Sequence, residues 1–148
     1  MDDGLSRSFM LRYLIHNVGD IHQPLHGAAY YSSKFPTGDR GGNSWKVTYN
    51  SEINNLHKLW DSCVDQYGSI WTPLNDYYWG QLETFAQNIT NVYPRTHAAI
   101  SPRLGDLKFE NWAAESHKYA IEYVYDGIEP SSTPSAEYIA RGRTFINQ

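Results

Sequence analysis

Leu11, Leu14, Ile15 and Val18 recur at the i, i+3, i+4, i+7 spacing of one helical side and predict a first helix over residues 5–20. At about 100° per residue, His16 and Asp20 fall on the opposite side, alongside Phe9 and Tyr13. A solvated face would carry Lys and Glu there, so the pattern predicts an enclosed helix with an apolar wall behind and a pocket in front. Pro24 stops the helix or turns the chain, which lets His26 swing back towards Asp20. Residues 27–43 hold Ser32, Ser33, Pro36, Gly38, Gly41 and Gly42 and read as a long loop, a length that usually signals function. Weak alternation over residues 45–49 predicts one arm of a small β-hairpin, returning near Glu52 and Ile53. A helix over 54–67 follows. Tyr78, Leu82, Phe85 and Ile89 mark another over 76–91, and Trp112, Ser116, Tyr119, Ala120 and Tyr123 a further one over 109–125. Residues 131–135 form a Pro/Ser linker, and 136–147 begin a last helix. The pattern is mainly α with a minor hairpin.

Composition narrows the class. A chain of 148 residues, 41% apolar and 15% aromatic, suffices for one domain with a real core. No run of 18 apolar residues exists, so no transmembrane helix is expected. Met1-Asp2-Asp3 is acidic and lacks the basic-then-apolar start of a signal peptide. The net charge is -4, and no basic run exceeds Arg141-Gly142-Arg143, which by itself argues against a nucleic-acid binder. Cys63 is the only cysteine, so no internal disulfide forms. Its thiol either pairs with a partner elsewhere or packs as a small buried hydrophobe. Asn88-Ile89-Thr90 is an N-glycosylation sequon, which points weakly to the secretory route.

The chemistry lies in two short stretches. His16 to His26 puts three imidazoles and one carboxylate, Asp20, inside eleven residues. Asn55 to Asp61 adds His57 and Asp61, so four of the six histidines sit in two motifs. Both motifs contain His-x-x-x-Asp, which on a helix stacks imidazole and carboxylate one turn apart. These are nitrogen and oxygen ligands of the kind zinc accepts. Taken singly, His16–Asp20 reads as a capping or buried ion pair, His57–Asp61 as a surface pair and His26 as a loop histidine. Together they point to metal. His22 sits two residues from Asp20 and reads as a hydrogen-bonding group beside the ligands rather than a ligand. Gly41, Gly42 and Asn43 predict a tight turn beside the site, with Asn43 orienting a ligand. His97 and His117 match neither motif.

The strings HNVGDIHQPLH, DRGGN (Asp39 to Asn43) and NLHKLWD, together with Trp112-Ala113-Ala114-Glu115-Ser116, occur in the order of one known family. The chain closely resembles the S1/P1 nucleases, zinc-dependent single-strand nucleases and 3'-nucleotidases. The resemblance implies an all-helical fold shared with bacterial zinc phospholipase C and three zinc ions in a cleft. It assigns His16 and Asp20 to a close pair, with Asp20 as the catalytic bridging carboxylate, and His26, His57 and Asp61 to the third ion. It implies water as nucleophile, 5'-phosphate products, and single-stranded DNA, RNA or 3'-nucleotides as substrate. Three divalent ions would bring the formal charge to about +2, so a phosphate would be drawn to metal rather than to lysine. The family's secreted or lumenal, cell-surface habit fits glycosylation at Asn88.

Further ligands that the family draws from an N-terminal half have no match here. These are the terminal amino group and carbonyl of a tryptophan, two histidines and an aspartate. The expectation is therefore that residues 1–148 are the C-terminal portion of a single such domain, incomplete at both ends. An N-terminal half chain of the same protein is the implied partner. Only one zinc site has its ligands complete, and the fragment alone is expected to be inactive. A catalytically inactive structural or binding module and a phospholipase C-type phosphodiesterase are the alternatives.

Overall fold

The computed structural model describes residues 3–70 and 72–147. Among these, five α-helices follow in order: α1 (Asp3–His22), α2 (Leu56–Asp61), α3 (Asp76–Val92), α4 (Phe109–Tyr119) and α5 (Ala136–Ile146). One 3-10 turn, Pro24–His26, follows α1, and another, Ser101–Arg103, precedes α4. A π-helical turn, Ala120–Val124, extends α4, so the predicted 109–125 span is helical up to Val124. The mainly α class is as predicted.

Side-chain caps explain several starts. Asn55, Asn75 and Ser135 each accept the backbone N–H three residues on, at 2.9, 2.9 and 3.0 Å, which satisfies a donor the helix leaves open. The core gathers around Leu25, Trp45, Leu56, Leu59, Trp60 and Val124, with Tyr138 of α5 closing it. The first turn of α2 is thus anchored at the centre, and Asp61 stands at its outer end.

Three expectations change. The helix predicted over 54–67 ends at Asp61. Cys63, Val64 and Asp65 take left-handed backbone (φ 53, 54 and 55), and Val64 N–H returns to the Leu59 carbonyl at 2.8 Å. Arg143 of α5 secures this turn by donating to the Val64 and Asp65 carbonyls, both at 3.2 Å. The second change is the hairpin. No β-strand forms among the described residues; an antiparallel bridge joins Lys46 to Asn55, and a parallel one joins Val47 to Ser132. The Asn50 side chain accepts the N–H groups of Glu52 and Ile53 at 2.9 and 2.6 Å and folds the return into a tight turn. Third, the apolar stripe of α1 is uncovered. No residue of α1 is buried, and Leu11, Leu14 and Ile15 are each more than half exposed. Among the described elements, α1 packs chiefly on α4 and the Pro24–His26 turn.

Candidate metal centre

The sequence-predicted ligands converge where the end of α1, the 3-10 turn and α2 meet. Asn55 caps α2 and holds its register, so His57 and Asp61 lie one turn apart on the same face. Gln23 caps the 3-10 turn by accepting the Leu25 N–H at 2.5 Å, and the same side chain donates from Nε2 to Asp61 Oδ1 at 2.8 Å. Pro24 and Leu25 are buried, and this anchored turn carries His26 to the other side of Asp61.

His26, His57 and Asp61 each present a ligand atom, and these atoms lie within 4.8 Å of one another. The two rings stack with centroids 5.2 Å apart. Each imidazole is held from behind by a backbone carbonyl. His57 Nδ1 donates to Gly41 at 2.6 Å, and His26 Nδ1 donates to Asp20 at 3.1 Å. A carbonyl can only accept, so Nδ1 carries a proton in both rings, and in the neutral imidazole Nε2 keeps its lone pair. Both Nε2 atoms face Asp61, His26 towards Oδ1 and His57 towards Oδ2, each at 3.4 Å. That is longer than an ordinary N–H···O bond, and close to the ~3.3 Å edge of a tetrahedron built with ~2.0 Å bonds to zinc. The donor set and its spacing fit a divalent ion of this kind.

His16 and Asp20 form a second, more open group. His16 Nε2 lies 3.3 Å from Asp20 Oδ2, and Asp20 Oδ1 lies 3.6 Å from His26 Nδ1. Asp20 therefore stands between the two groups. His16 is 70% exposed in its side chain against 19% for His57, so these two imidazoles differ sharply in support. His22 turns away. Its Nδ1 bonds to the Val18 carbonyl at 2.7 Å, and its ring rests against Trp112 with centroids 5.2 Å apart. Asn43 is exposed and donates to the Arg40 carbonyl at 3.0 Å, bracing the turn rather than touching a ligand. Asn88 is exposed on α3. Cys63 is free and half-buried beside Asp61; burial, then the Asp61 charge, pushes its thiol up.

A cavity of about 1290 Å³ opens on the α1–α4 side, bordered by His16, Asp20, His26 and Asp61 and, opposite, by Trp112 and Tyr119. Arg103 closes part of that wall. It donates from Nε to Glu115 at 2.8 Å and from Nη2 to the Tyr119 hydroxyl at 3.0 Å, and that hydroxyl donates to Glu115 at 2.6 Å. Burial pushes the Glu115 carboxyl up, but the bonds from Tyr119 and Arg103 outweigh it and hold it below the usual range. Ser116, 3% exposed, ties α4 to the end of α1 by donating to the Ile21 carbonyl at 2.6 Å.

Residue patterns missed two contributors. Gln23 carried only the signal of a polar residue before proline. Asp39 heads a D-x-x-G segment, the signature of an Asx-type turn, and is wholly buried.

A sequence model of the S1/P1 nuclease family matches residues 2–148. Endonuclease 1 of Arabidopsis thaliana is 32% identical over 134 residues, covering 86% of this chain and 40% of the relative. Endonuclease 3 of the same plant is 40% identical over 132 residues, again 40% of its length. Nuclease S1 of Aspergillus oryzae is 42% identical over 52 residues, 15% of its length. The match thus spans well under half of each of these relatives.

Proposed function

This chain belongs to the S1/P1 nuclease family, and from that premise we propose that its clustered histidines and aspartates bind zinc for phosphodiester hydrolysis. The substrates would be single-stranded nucleic acid or 3'-nucleotides, with 5'-phosphate products. The observation that carries the reading is the matched orientation of His26 and His57. Each donates Nδ1–H to a backbone carbonyl and turns Nε2 to Asp61 at 3.4 Å. Histidines that ligate metal are held in this way.

His26, His57 and Asp61 would hold one ion, and His16 and Asp20 would contribute to a close pair. Bound zinc supplies Lewis acidity towards phosphate oxygens and brings the pKa of coordinated water close to neutrality. The chain's own groups do the rest. Gln23 fixes Asp61 Oδ1, the Asp20 and Gly41 carbonyls fix the two rings, and Asp20 aims its carboxylate between His16 and His26. With net charge -4 the chain does not attract polyanions on its own, so phosphate recognition falls to the ions. The exposed sequon at Asn88 supports a secreted or lumenal protein, and among the described residues no helix is long and apolar enough to cross a membrane.

Zinc titration of this chain, followed by a nuclease assay on single-stranded DNA and RNA with the protein completed by its N-terminal half, tests the reading. Zinc binding that disappears in His57→Ala, with hydrolysis that EDTA abolishes and zinc restores, is expected. Hydrolysis indifferent to chelation would overturn it.

A further inference from the structure

Asp39 is a completely buried carboxylate that belongs to neither group of ligands. Its two oxygens accept three hydrogen bonds, from Tyr30 N–H to Oδ1 at 2.9 Å, and from Gly42 N–H and the Tyr125 hydroxyl to Oδ2 at 2.9 and 2.8 Å. None of these donors is a cation. Burying a charge with neutral partners alone is expensive, and the surroundings show what it organises. The chain from Asp39 to Gly42 runs through left-handed backbone at Arg40, Gly41 and Gly42 (φ 60, 60 and 80), and Ser44 N–H closes it on the Asp39 carbonyl at 2.9 Å. The fit is close enough that a Cβ on Gly41 would lie 2.5 Å from the Leu25 carbonyl oxygen. This turn presents the Gly41 carbonyl to His57 Nδ1 at 2.6 Å and the Gly42 carbonyl to His57 N–H at 3.3 Å.

We infer that Asp39, braced by Tyr125, is a positioning residue for His57. It sets the Gly41 carbonyl that keeps the imidazole proton on Nδ1 and leaves Nε2 free to ligate. The inference rests on the metal-binding reading proposed above. The direction of the Tyr125 phenol agrees with it. Burial, then the hydrogen bond to Asp39, pushes the hydroxyl far up, so it remains a donor.

The test compares the wild-type chain with Asp39→Asn, Tyr125→Phe and Val124→Ala, the last a buried core substitution outside the turn. Cobalt(II) affinity is read by its visible spectrum, and the His57 tautomer by ring nitrogen NMR, on protein shown to be folded by circular dichroism. In Asp39→Asn one of the N–H groups of Tyr30 and Gly42 must face an amide donor. We expect its cobalt affinity to fall about tenfold or more, within the ~10- to 100-fold range for lost outer partners of a ligand. The His57 signal should become a mixture of tautomers. Tyr125→Phe should give a smaller loss of the same kind, and Val124→Ala should keep the Nδ1–H form and near-wild-type affinity. Unchanged affinity and tautomer in Asp39→Asn, or an equal loss in Val124→Ala, overturns the inference. If Asp39→Asn does not fold, Tyr125→Phe decides by the same two readouts. A wild-type chain that binds no cobalt would sink the metal reading instead, and the tautomer comparison would still judge the role of Asp39.

Discussion

The indole N–H of Trp60 donates to the hydroxyl of Tyr138 at 2.9 Å, across 78 positions of sequence, and that hydroxyl donates in turn to the Val124 carbonyl at 2.7 Å. Both residues are almost fully buried. The relay ties α2, which carries His57 and Asp61, to α5 and to the π-helical turn after α4.

Removing the relay should therefore loosen the helix that carries two of the proposed ligands. Tyr138→Phe strands one buried donor and one buried acceptor, each costing ~1–3 kcal/mol when left unmade. We expect a loss of about 2–4 kcal/mol in urea unfolding, with the zinc site weakened in proportion. A stability change under about 0.5 kcal/mol would mean that water replaces the hydroxyl.

His57→Ala and His22→Ala should separate ligand from neighbour. His57 Nε2 faces Asp61, whereas His22 bonds to Val18 and leans on Trp112. A zinc titration should show one site lost in His57→Ala and no more than the ~10- to 100-fold weakening of an outer contact in His22→Ala. Equal loss in both would contradict the ligand assignment.

Asp20 lies 3.3 Å from His16 and 3.6 Å from His26. Its amide, in Asp20→Asn, keeps the shape and removes the charge that joins the two groups. We expect turnover of the zinc-loaded protein, completed by its N-terminal half, to fall more than tenfold, a barrier increase above ~1.4 kcal/mol. Retention of more than a tenth of wild-type turnover would show that Asp20 does not bridge.

The Arg103–Glu115–Tyr119 cluster predicts an acid-side effect. Glu115 is held below its usual range when folded, so it contributes stability above the unfolded carboxyl pKa and loses it as pH falls through the folded value. Glu115→Gln should flatten the acid limb of the thermal-melting profile below about pH 4.5 and leave the neutral limb parallel to wild type. The same acid slope in both proteins would assign the loss to other carboxylates.

Gly42→Ala should be costly for geometric reasons. The backbone sits at φ +80, and an added Cβ would lie 2.9 Å from Leu25 Cδ1 and 3.1 Å from the His57 nitrogen. We expect a destabilisation of roughly 2 kcal/mol or more, beyond the usual penalty for alanine at positive φ. A melting temperature within a degree of wild type would show that the turn can relax.

Helices with strong local signals were legible from residues alone. The apolar spacing around Tyr78 and Phe85 located α3 within a residue. The candidate ligands were legible because His-x-x-x-Asp is a contact rule within one helix, and both copies obey it. What residues did not reveal depends on partners distant in the chain. Nothing near Asp61 announces a left-handed turn, since it is Arg143 that secures the Val64 and Asp65 carbonyls. The expected hairpin is reduced to one antiparallel bridge, Lys46 to Asn55, flanked by Val47 N–H to Asn54 and Leu56 N–H to Trp45. A later segment joins residues 46–48 through Ser131 N–H to Lys46 and Thr48 N–H to Ser132. The enclosure predicted for α1 assumed that an apolar stripe finds cover within the same chain.

That uncovered helix has a consequence for motion. His57 and Asp61 hang from α2, whose inner residues Leu56 and Leu59 are fully buried. His16 and Asp20 ride on α1, which buries none of its side chains. Amide hydrogens in the two helices should therefore exchange on different clocks, slow in α2 through near-global opening and fast in α1 through local fraying. Any ligand that grips both helices at once would slow the faster clock towards the slower one, and deuterium uptake over residues 3–22 would register its arrival.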